Sequence, residues 1–233
     1  EMMHKIFFLF KSNSTFKIYF YFLKSKLFNI FFKRKIISLK RKHELLIKNK
    51  KITTNYFSPH SFNFYQYLYK LNRNFNYLEI GSYEGNSAMF VADNFKESSV
   101  YCVDTWVKTN EYTDHISFSH IEDNFDFNTK EYKNIYKFKN TSDNFFIKNK
   151  VMYDVIYIDG YHLGAQVYKD CKNSWKFLKK EGFLICDDYI WDFYDSIEDN
   201  PCYFINKFLK ENKGYYKIQK ISNSQIFIKK INH

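Results

Sequence analysis

From residue 76 onward, short apolar runs of strand length alternate with segments of helical spacing. The clearest run covers residues 155–158 and stops at Asp159 and Gly160. Asp-Gly is a common hairpin signal, but no second strand follows it. Apolar residues instead recur at helical spacing over 167–178. We therefore predict that Asp159 ends a strand inside a β-to-α connection.

The same alternation continues along the chain. Strands are predicted at 76–81, 98–106, 135–140, 153–159 and 182–188, with two more inside 215–231. Helices are predicted at 62–74, 86–95, 142–149, 163–180 and 202–212, with a short one inside the polar stretch 107–134. Five β-then-α steps and a terminal hairpin predict an α/β fold, an open and mostly parallel sheet with one antiparallel edge. Ligands of such sheets bind outside the carboxyl ends of the strands.

The positive charge is concentrated at one end of the chain. Of the net charge of +11, residues 1–51 contribute +12, with 14 Lys and Arg against two Glu, and residues 52–233 contribute −1. We expect a basic, aromatic-rich helical extension at 1–51 and one folded domain at 52–233. Such asymmetry favours contact with an anionic surface.

Inside the extension, residues 16–32 are apolar but carry three lysines, so a spanning helix is not expected. The apolar run 6–10 is too short for a secretory signal and is followed by Lys11. A helix here would place on one face Phe16, Phe20, Leu23, Leu27 and Phe31. That face could pack on the domain or on a second copy in a homodimer, lie on a membrane surface, or accompany nucleic-acid contact.

The cysteines indicate the compartment. Cys102, Cys171, Cys186 and Cys202 form no C-x-x-C pair, and three of them lie in or beside apolar runs. This pattern favours a reduced, cytoplasmic protein over a disulfide framework. The basic extension could hold such a protein at a membrane surface.

The first candidate binding motif covers residues 77–88, where a strand leads through two glycines into a helix. Gly81 would let a ligand approach the backbone, Gly85 would permit a tight turn, and the helix would offer free N–H groups. The spacing G-x-x-x-G lacks the third glycine of a dinucleotide site and the lysine of a P-loop. Glu79 beside it suits a ligand with a cationic part, although a purely structural turn stays open.

Asp104 ends the second predicted strand, 23 residues after Gly81. An acid about 20 residues past a glycine turn can bind a ribose diol. The alternative for Asp104 is a helix cap or a surface position.

Four motifs in order carry a resemblance: "LEIGSYEG", "CVDTW", "YDVIYIDGYH" and "LKKEGFLICDDYIW". Together they resemble the class I S-adenosylmethionine-dependent methyltransferases. The similarity is greatest to the subgroup with IDGxH and DDY strand ends, which includes macrocin-type sugar O-methyltransferases. It covers about residues 60–230 and implies a Rossmann-like, doubly wound sheet of seven strands.

The resemblance also implies a cofactor site. Glu79, Gly81 and Gly85 would cradle the methionine part of S-adenosylmethionine, Asp104 would hold the ribose, and Ser142 and Asp143 would lie near the adenine. The neighbouring loop residues that complete this expected site are Ser82, Tyr83, Thr105 and Trp106.

Three carboxylates, those of Asp159, Asp187 and Asp188, follow two predicted neighbouring strands. Anions so close repel one another, and a hard divalent cation such as Mg²⁺, Mn²⁺ or Ca²⁺ would resolve the repulsion. Related methyltransferases use such a trio to bind Mg²⁺ and a substrate hydroxyl. The alternative is that Asp187 and Asp188 cap the next segment and Asp159 serves a turn.

His162 lies three residues past Asp159 and could accept the proton of a metal-bound hydroxyl. Equally, His162 could cap the helix or touch the cofactor. Asp192 and Asp195 are weaker candidates for this base. Further candidates are Tyr189 and Trp191 for the substrate pocket, and Asp114, His115 and His120 for a lid within 107–134.

The sequence thus predicts a metal-assisted O-methyltransferase that acts on a hydroxyl of a small molecule or sugar. The alternative is a cofactor-binding module whose basic N-terminus docks to RNA or an anionic membrane. A nicotinamide oxidoreductase is weakened by the missing third glycine.

Overall fold

The computed structural model describes residues 2–71, 74–109, 111, 118–222 and 224–232. Over these residues the chain forms one sheet of seven strands with helices on both faces. The strands are β1 Asn76–Ile80, β2 Ser99–Asp104, β3 Ile135–Lys139, β4 Tyr153–Ile158, β5 Leu178–Cys186, β6 Tyr216–Ile221 and β7 Ile226–Lys230. The helices are α1 Met2–Lys11, α2 Phe16–Phe31, α3 Lys33–Leu46, α4 Ser61–Leu68, α5 Asn86–Asn94, α6 Ile121–Thr129, α7 Ser142–Lys148, α8 Gly164–Phe177 and α9 Pro201–Glu211.

The strand order is β3-β2-β1-β4-β5-β7-β6, parallel from β1 to β5 and antiparallel at β7 and β6. This confirms the predicted mixed, Rossmann-like architecture with its antiparallel terminal hairpin. The chain leaves β1 toward β2 on one side, and β4 lies on the other side. That reversal of direction between β1 and β4 is the switch point at which such sheets bind ligands.

The register of the central strands aligns their carboxyl ends. Ile80 of β1 pairs with Val103 of β2 and with Ile158 of β4, and Ile158 in turn pairs with Cys186 of β5. The residues that follow these strand ends therefore meet at one edge of the sheet. They include Gly81, Asp104, Asp159 and Asp187.

One predicted boundary is wrong. The helix predicted over 163–180 ends at Phe177, and β5 begins at Leu178. Leu178 fits the apolar helical spacing, but it pairs with Tyr153 of β4, and a bulge shifts the register before the next pair. Long-range pairing therefore overrides the local helical pattern at this point.

Apolar side chains fill both faces of the sheet. One core combines residues of α7, α8 and α9 with Phe8, Leu9, Ile18 and Phe22 from α1 and α2. The other combines residues of α4, α5 and α6. The N-terminal helices therefore share the core of the domain.

The inner face of α2 consists of the buried residues Ile18, Phe22 and Ser25. Of the alternatives that the sequence left open for the other apolar face, packing on the domain is not what the structure shows. All five members of that face are exposed to solvent: Phe16, Phe20, Leu23, Leu27 and Phe31. Among the described helices, none combines the length and apolar character needed to cross a membrane.

Candidate active site

The turn after β1 brings two strand ends into contact. Gly81 has a φ of +88°, and a Cβ placed on it would lie 2.0 Å from the carbonyl oxygen of Asp159. The sequence predicted that a ligand would approach this glycine, but the close neighbour is the backbone after β4. Gly85 has a φ of +79°, as a tight turn into α5 requires.

Asp104 holds this turn from the end of β2. Its Oδ2 accepts backbone N–H bonds from Ser82 and Tyr83, both at 2.9 Å, and its Oδ1 accepts one from Trp106 at 2.7 Å. Burial raises the pKa of Asp104, and these backbone hydrogen bonds oppose the rise. Asp104 thus fixes in place the loop from Gly81 to Gly85, which we call the glycine loop.

A smaller cavity of about 350 Å³ lies beside Asp104. Six of the predicted cofactor residues line it: Gly81, Tyr83, Asp104, Thr105, Ser142 and Asp143. Asn140, Gln166 and Asp170 line it as well and were missed from the sequence. Ser142 donates a 2.6 Å hydrogen bond to Asp170, whose pKa burial raises to about 7.

A larger cavity of about 470 Å³ adjoins it. The two cavities share Gly81, Tyr83, Glu111 and Asp159, so they meet where β1 and β4 end. The other lining residues include an aromatic set, Tyr56, Phe57 and Trp191, and a polar set, Ser82, His162, Asp187 and Asp188. A ligand in the smaller cavity can therefore reach toward an acidic cluster in the larger one.

The acidic cluster consists of Asp159, His162 and Asp188, whose ligand atoms all lie within 4.8 Å of one another. Nε2 of His162 lies 2.8 Å from Oδ2 of Asp188 and 3.7 Å from Oδ1 of Asp159. The sequence predicted Asp187 as the third member, and the structure places His162 there instead.

Asp187 is engaged by other groups. The hydroxyl of Tyr157 and the amide of Gln225 donate to its Oδ2, and the backbone N–H of Asp188 donates to its Oδ1. Burial acts to raise the pKa of Asp187, but the charge of His60 and the bonds from Tyr157 and Gln225 lower it overall. The hydroxyl oxygen of Tyr157 also lies 2.8 Å from Oδ2 of Asp159, so Tyr157 bridges the two carboxyl groups.

The electrostatics of the cluster reflect crowded anions. Burial and the charge of Asp187 raise the pKa of Asp159 to about 8. Burial alone would lower the pKa of His162, but hydrogen bonds to Asp159, Asp188 and Glu111 raise it well above its ordinary value. A cation placed among these groups would relieve the repulsion between the carboxylates.

Glu111 is a site residue that sequence reasoning missed. Its Oε1 accepts the backbone N–H of His162 at 2.9 Å and the hydroxyl of Tyr194 at 2.6 Å. Its Oε2 lies 3.2 Å from Nδ1 of His162. Glu111 belongs to the polar stretch 107–134 of the sequence, where no predicted strand end or spacing signals it.

The donor set fits a divalent cation. Two carboxylates and one imidazole Nε2 converge, and the other imidazole nitrogen faces a carboxylate. Metal-bound histidines ordinarily have such a partner, which fixes the ring orientation. With few protein ligands, Mg²⁺ would keep several waters.

Other predicted residues lie outside the two cavities. Glu79 is buried and accepts from Tyr77 at 3.0 Å and Ser87 at 2.7 Å. Burial raises the pKa of Glu79 to about 7. Gly85 packs against the side chains of Phe125 and Thr129.

Trp106 packs on Phe125 and donates to the carbonyl of Tyr83. Among the weaker candidates, Tyr189 is buried and bonded to Asn206, whereas Trp191 does line the larger cavity. Three other candidates do not line either cavity: Asp192, Asp195 and His120. Asp114 and His115 lie outside the described residues.

The central part of the chain is similar to a known protein family. Residues 78–189 match a family described as a methyltransferase domain. These residues contain the glycine turn, Asp104, and the Asp159, His162 and Asp188 cluster, so the candidate site lies within the matched segment. A comparison with curated proteins gave no match.

Solved structures share the fold at low sequence identity. A provisionally assigned caffeoyl-CoA O-methyltransferase from Staphylococcus aureus is 17% identical with a TM-score of 0.58, covering 89% of this chain and 99% of that chain. TomG, an O-methyltransferase of tomaymycin synthesis from Streptomyces achromogenes solved with SAM, is 8% identical with a TM-score of 0.59, covering 84% and 90%. MycE of the mycinamycin pathway, solved with Mg, SAH and mycinamycin VI, is 14% identical with a TM-score of 0.55, covering 82% of this chain and 54% of that chain.

Proposed function

We propose that this methyltransferase domain transfers a methyl group from S-adenosylmethionine to a hydroxyl of a small molecule or sugar, with a divalent metal ion at Asp159, His162 and Asp188. The observation that carries the proposal is the meeting of two cavities at Gly81 and Asp159. One cavity has the donors for a nucleoside, and the other has the acidic cluster.

The smaller cavity suits the nucleoside part of the cofactor. Asp104 and Thr105 line the cavity where the ribose hydroxyls would lie, and Ser142 and Asp143 lie at the start of α7 beside them. The glycine loop would hold the methionine part, and bound S-adenosylmethionine would supply an electrophilic methyl group on a sulfonium. TomG was solved with SAM and MycE with SAH, which supports this assignment.

Glu79 adds to the fit for a cationic ligand. One of its oxygens, Oε1, is buried and has no hydrogen-bond partner among the described residues. Burial raises the pKa of Glu79 to about 7, although hydrogen bonds from Ser87, Ser82 and Tyr77 oppose the rise. A sulfonium or ammonium group near the glycine loop would favour the ionised carboxylate.

The larger cavity suits an acceptor that combines a ring with a hydroxyl. Trp191 and Phe57 provide apolar wall, and the cluster provides polar atoms. A divalent cation there would orient the hydroxyl and lower its pKa. Positioning the oxygen in line with the methyl group can contribute about 7–11 kcal/mol in the best oriented cases.

Nε2 of His162 has two chemically exclusive roles, metal ligand or proton acceptor. Glu111 holds Nδ1 and the backbone N–H of His162, so Nε2 faces the cluster in either role. In its protonated form His162 cannot accept a proton, and a cation bound to Asp159 and Asp188 would weaken the two interactions with these carboxylates that help raise its pKa. Metal titration of a His162→Gln variant separates the roles, because only a ligand role weakens metal binding.

The test measures cofactor and metal binding separately. Isothermal titration should show one site for S-adenosylmethionine, and electron paramagnetic resonance should show one Mn²⁺ site per chain. Asp188→Asn should weaken Mn²⁺ binding at least tenfold because it removes a charged ligand. Asp195→Asn, an exposed acid in the same segment, is the matched control and should bind as the wild type does. Absence of cofactor binding at millimolar concentration would refute the activity, and equal Mn²⁺ affinity in both variants would refute the metal site.

A further inference from the structure

The outward face of α2 carries a continuous apolar stripe, the α2 stripe. Each of its members is between 48% and 85% exposed: Phe16, Phe20, Leu23, Leu27, Ile30 and Phe31. Their spacing places them within one narrow sector of the helix. Contiguous apolar surface of this kind on a folded protein marks an interaction site.

The inner face of α2 is firmly packed, so the stripe is an outer surface of an ordered helix. Ile18 and Phe22 are buried in the core, and Ser25 donates to the carbonyl of Phe22 at 3.1 Å. Lys220 of β6 lies 4.1 Å from the ring centroid of Phe28 on the same helix. Rotating α2 to bury the stripe would expose these inner residues.

Lysines border the α2 stripe. By helical geometry, Lys17 and Lys24 lie along one border, whereas Nζ of Lys26, at the other border, lies 5.2 Å from the ring centroid of the buried Phe22. Directly after the helix follow three more exposed basic residues, Lys33, Arg34 and Lys35. The stripe is thus an apolar band inside a cationic frame.

We propose that the α2 stripe docks the protein on an anionic lipid surface, with α2 lying in the plane of the interface. Interfacial helices combine an apolar face with lysines that reach the headgroups. Residues 1–51 carry a net charge of +12, and basic residues near a membrane are attracted to anionic lipids. This arrangement needs no spanning helix, and none of the described helices is long and apolar enough to be one.

The positive charge around the α2 stripe also distinguishes between its possible binding partners. A second copy on the same stripe would bring two lysine frames together, and like charges across an interface oppose association. Nucleic acid would satisfy the lysines through phosphate contacts but would leave much of the apolar band in water. An anionic lipid surface is complementary to both the frame and the band.

The experiment is vesicle co-sedimentation of the full chain. Vesicles of phosphatidylcholine with 30% phosphatidylglycerol should retain the protein, and pure phosphatidylcholine vesicles should retain it much less. The variant Phe20→Ser, Leu23→Ser, Leu27→Ser should bind anionic vesicles at least tenfold more weakly. Ile147→Ser removes an equally exposed apolar side chain from α7 and is the matched control. All four positions point outward, so thermal unfolding and cofactor binding should not change.

The charge is tested separately by Lys17→Gln with Lys24→Gln. This variant should lose most of its preference for anionic over neutral vesicles, and 0.5 M NaCl should reduce wild-type binding in the same way. Three results would overturn the proposal: vesicle binding that the stripe variant retains, a wild-type dimer that the stripe variant converts to a monomer, or binding to an RNA oligonucleotide without binding to vesicles. Because cofactor binding is read independently, these results do not depend on the proposed methyl transfer.

Discussion

Replacing Gly81 with alanine tests the junction between β1 and β4. The added Cβ would lie 2.0 Å from the carbonyl oxygen of Asp159, 2.5 Å from its carbonyl carbon and 2.6 Å from Cα of Gly160. All three atoms belong to the backbone, so no side-chain rotation relieves the overlap. The backbone N–H of Asp159 also donates to Ile80 at 2.8 Å, which ties the two strand ends together.

The expected loss of stability has two parts. The φ of +88° is unfavourable for alanine by about 1–2 kcal/mol. Moving the strand ends apart to ordinary contact should break the hydrogen bond from Asp159 and strain the core, which adds about 2–4 kcal/mol. Gly214 supplies the control, because its φ is +94° and a Cβ there meets nothing within 4 Å. Gly214→Ala should therefore lose only the first part.

Urea unfolding of the wild type and both variants measures the difference. We expect Gly81→Ala to be at least about 2 kcal/mol less stable than Gly214→Ala. The folded fraction of Gly81→Ala should also bind Mn²⁺ at least tenfold more weakly, because Asp159 is displaced from the cluster. If Gly81→Ala matches Gly214→Ala in stability and binds Mn²⁺ normally, the close approach of the two strand ends is refuted.

Two further predictions concern buried carboxylates. The pKa of Glu79 rises from 4.5 to about 7 on folding, so the folded chain keeps this proton between those pH values while the unfolded chain has lost it. Glu79 should therefore contribute a fall in stability of at most about 3 kcal/mol as pH rises from 4.5 to 7, in addition to the contributions of Asp159 and Asp170. Glu79→Gln should make the slope shallower by the Glu79 share in thermal unfolding; a profile parallel to that of the wild type would contradict this origin. Glu111→Gln should weaken Mn²⁺ binding about 10–100-fold because it releases His162, whereas an unchanged affinity would show that Glu111 does not orient the ring.

The strand ends of the site were predictable because they depend on local pattern. The helical spacing after Asp159 excluded a hairpin, and parallel strands bring their carboxyl ends to one edge. Gly81, Asp104 and Asp159 therefore lie where the sequence placed them. The glycine spacing also indicated the turn at Gly85, whose positive φ the structure shows.

The identity of the cluster depended on contacts that no local pattern contains. Asp187 is held by Gln225, which is 38 residues away, and His162 is held by Glu111, which is 51 residues away. Both Asp187 and Asp188 follow β5, so sequence position alone cannot separate their roles. The choice of inner face on α2 has the same origin, since both faces are apolar and Ile18 and Phe22 pack against residues that are distant in sequence.

The N-terminal helices and the acidic cluster of Asp159, His162 and Asp188 share a structural support. Asn206 of α9 donates to the carbonyl of Ser12 at 2.8 Å and to Ser14 at 2.9 Å, in the connection between α1 and α2. Its side-chain oxygen accepts the hydroxyl of Tyr189 at 2.6 Å, directly after Asp188. Deleting α1 and α2 would therefore free Asn206 and disturb the position of Asp188. Loss of activity on truncation would be ambiguous, so substitutions confined to the outer face of α2 are needed to separate docking from catalysis.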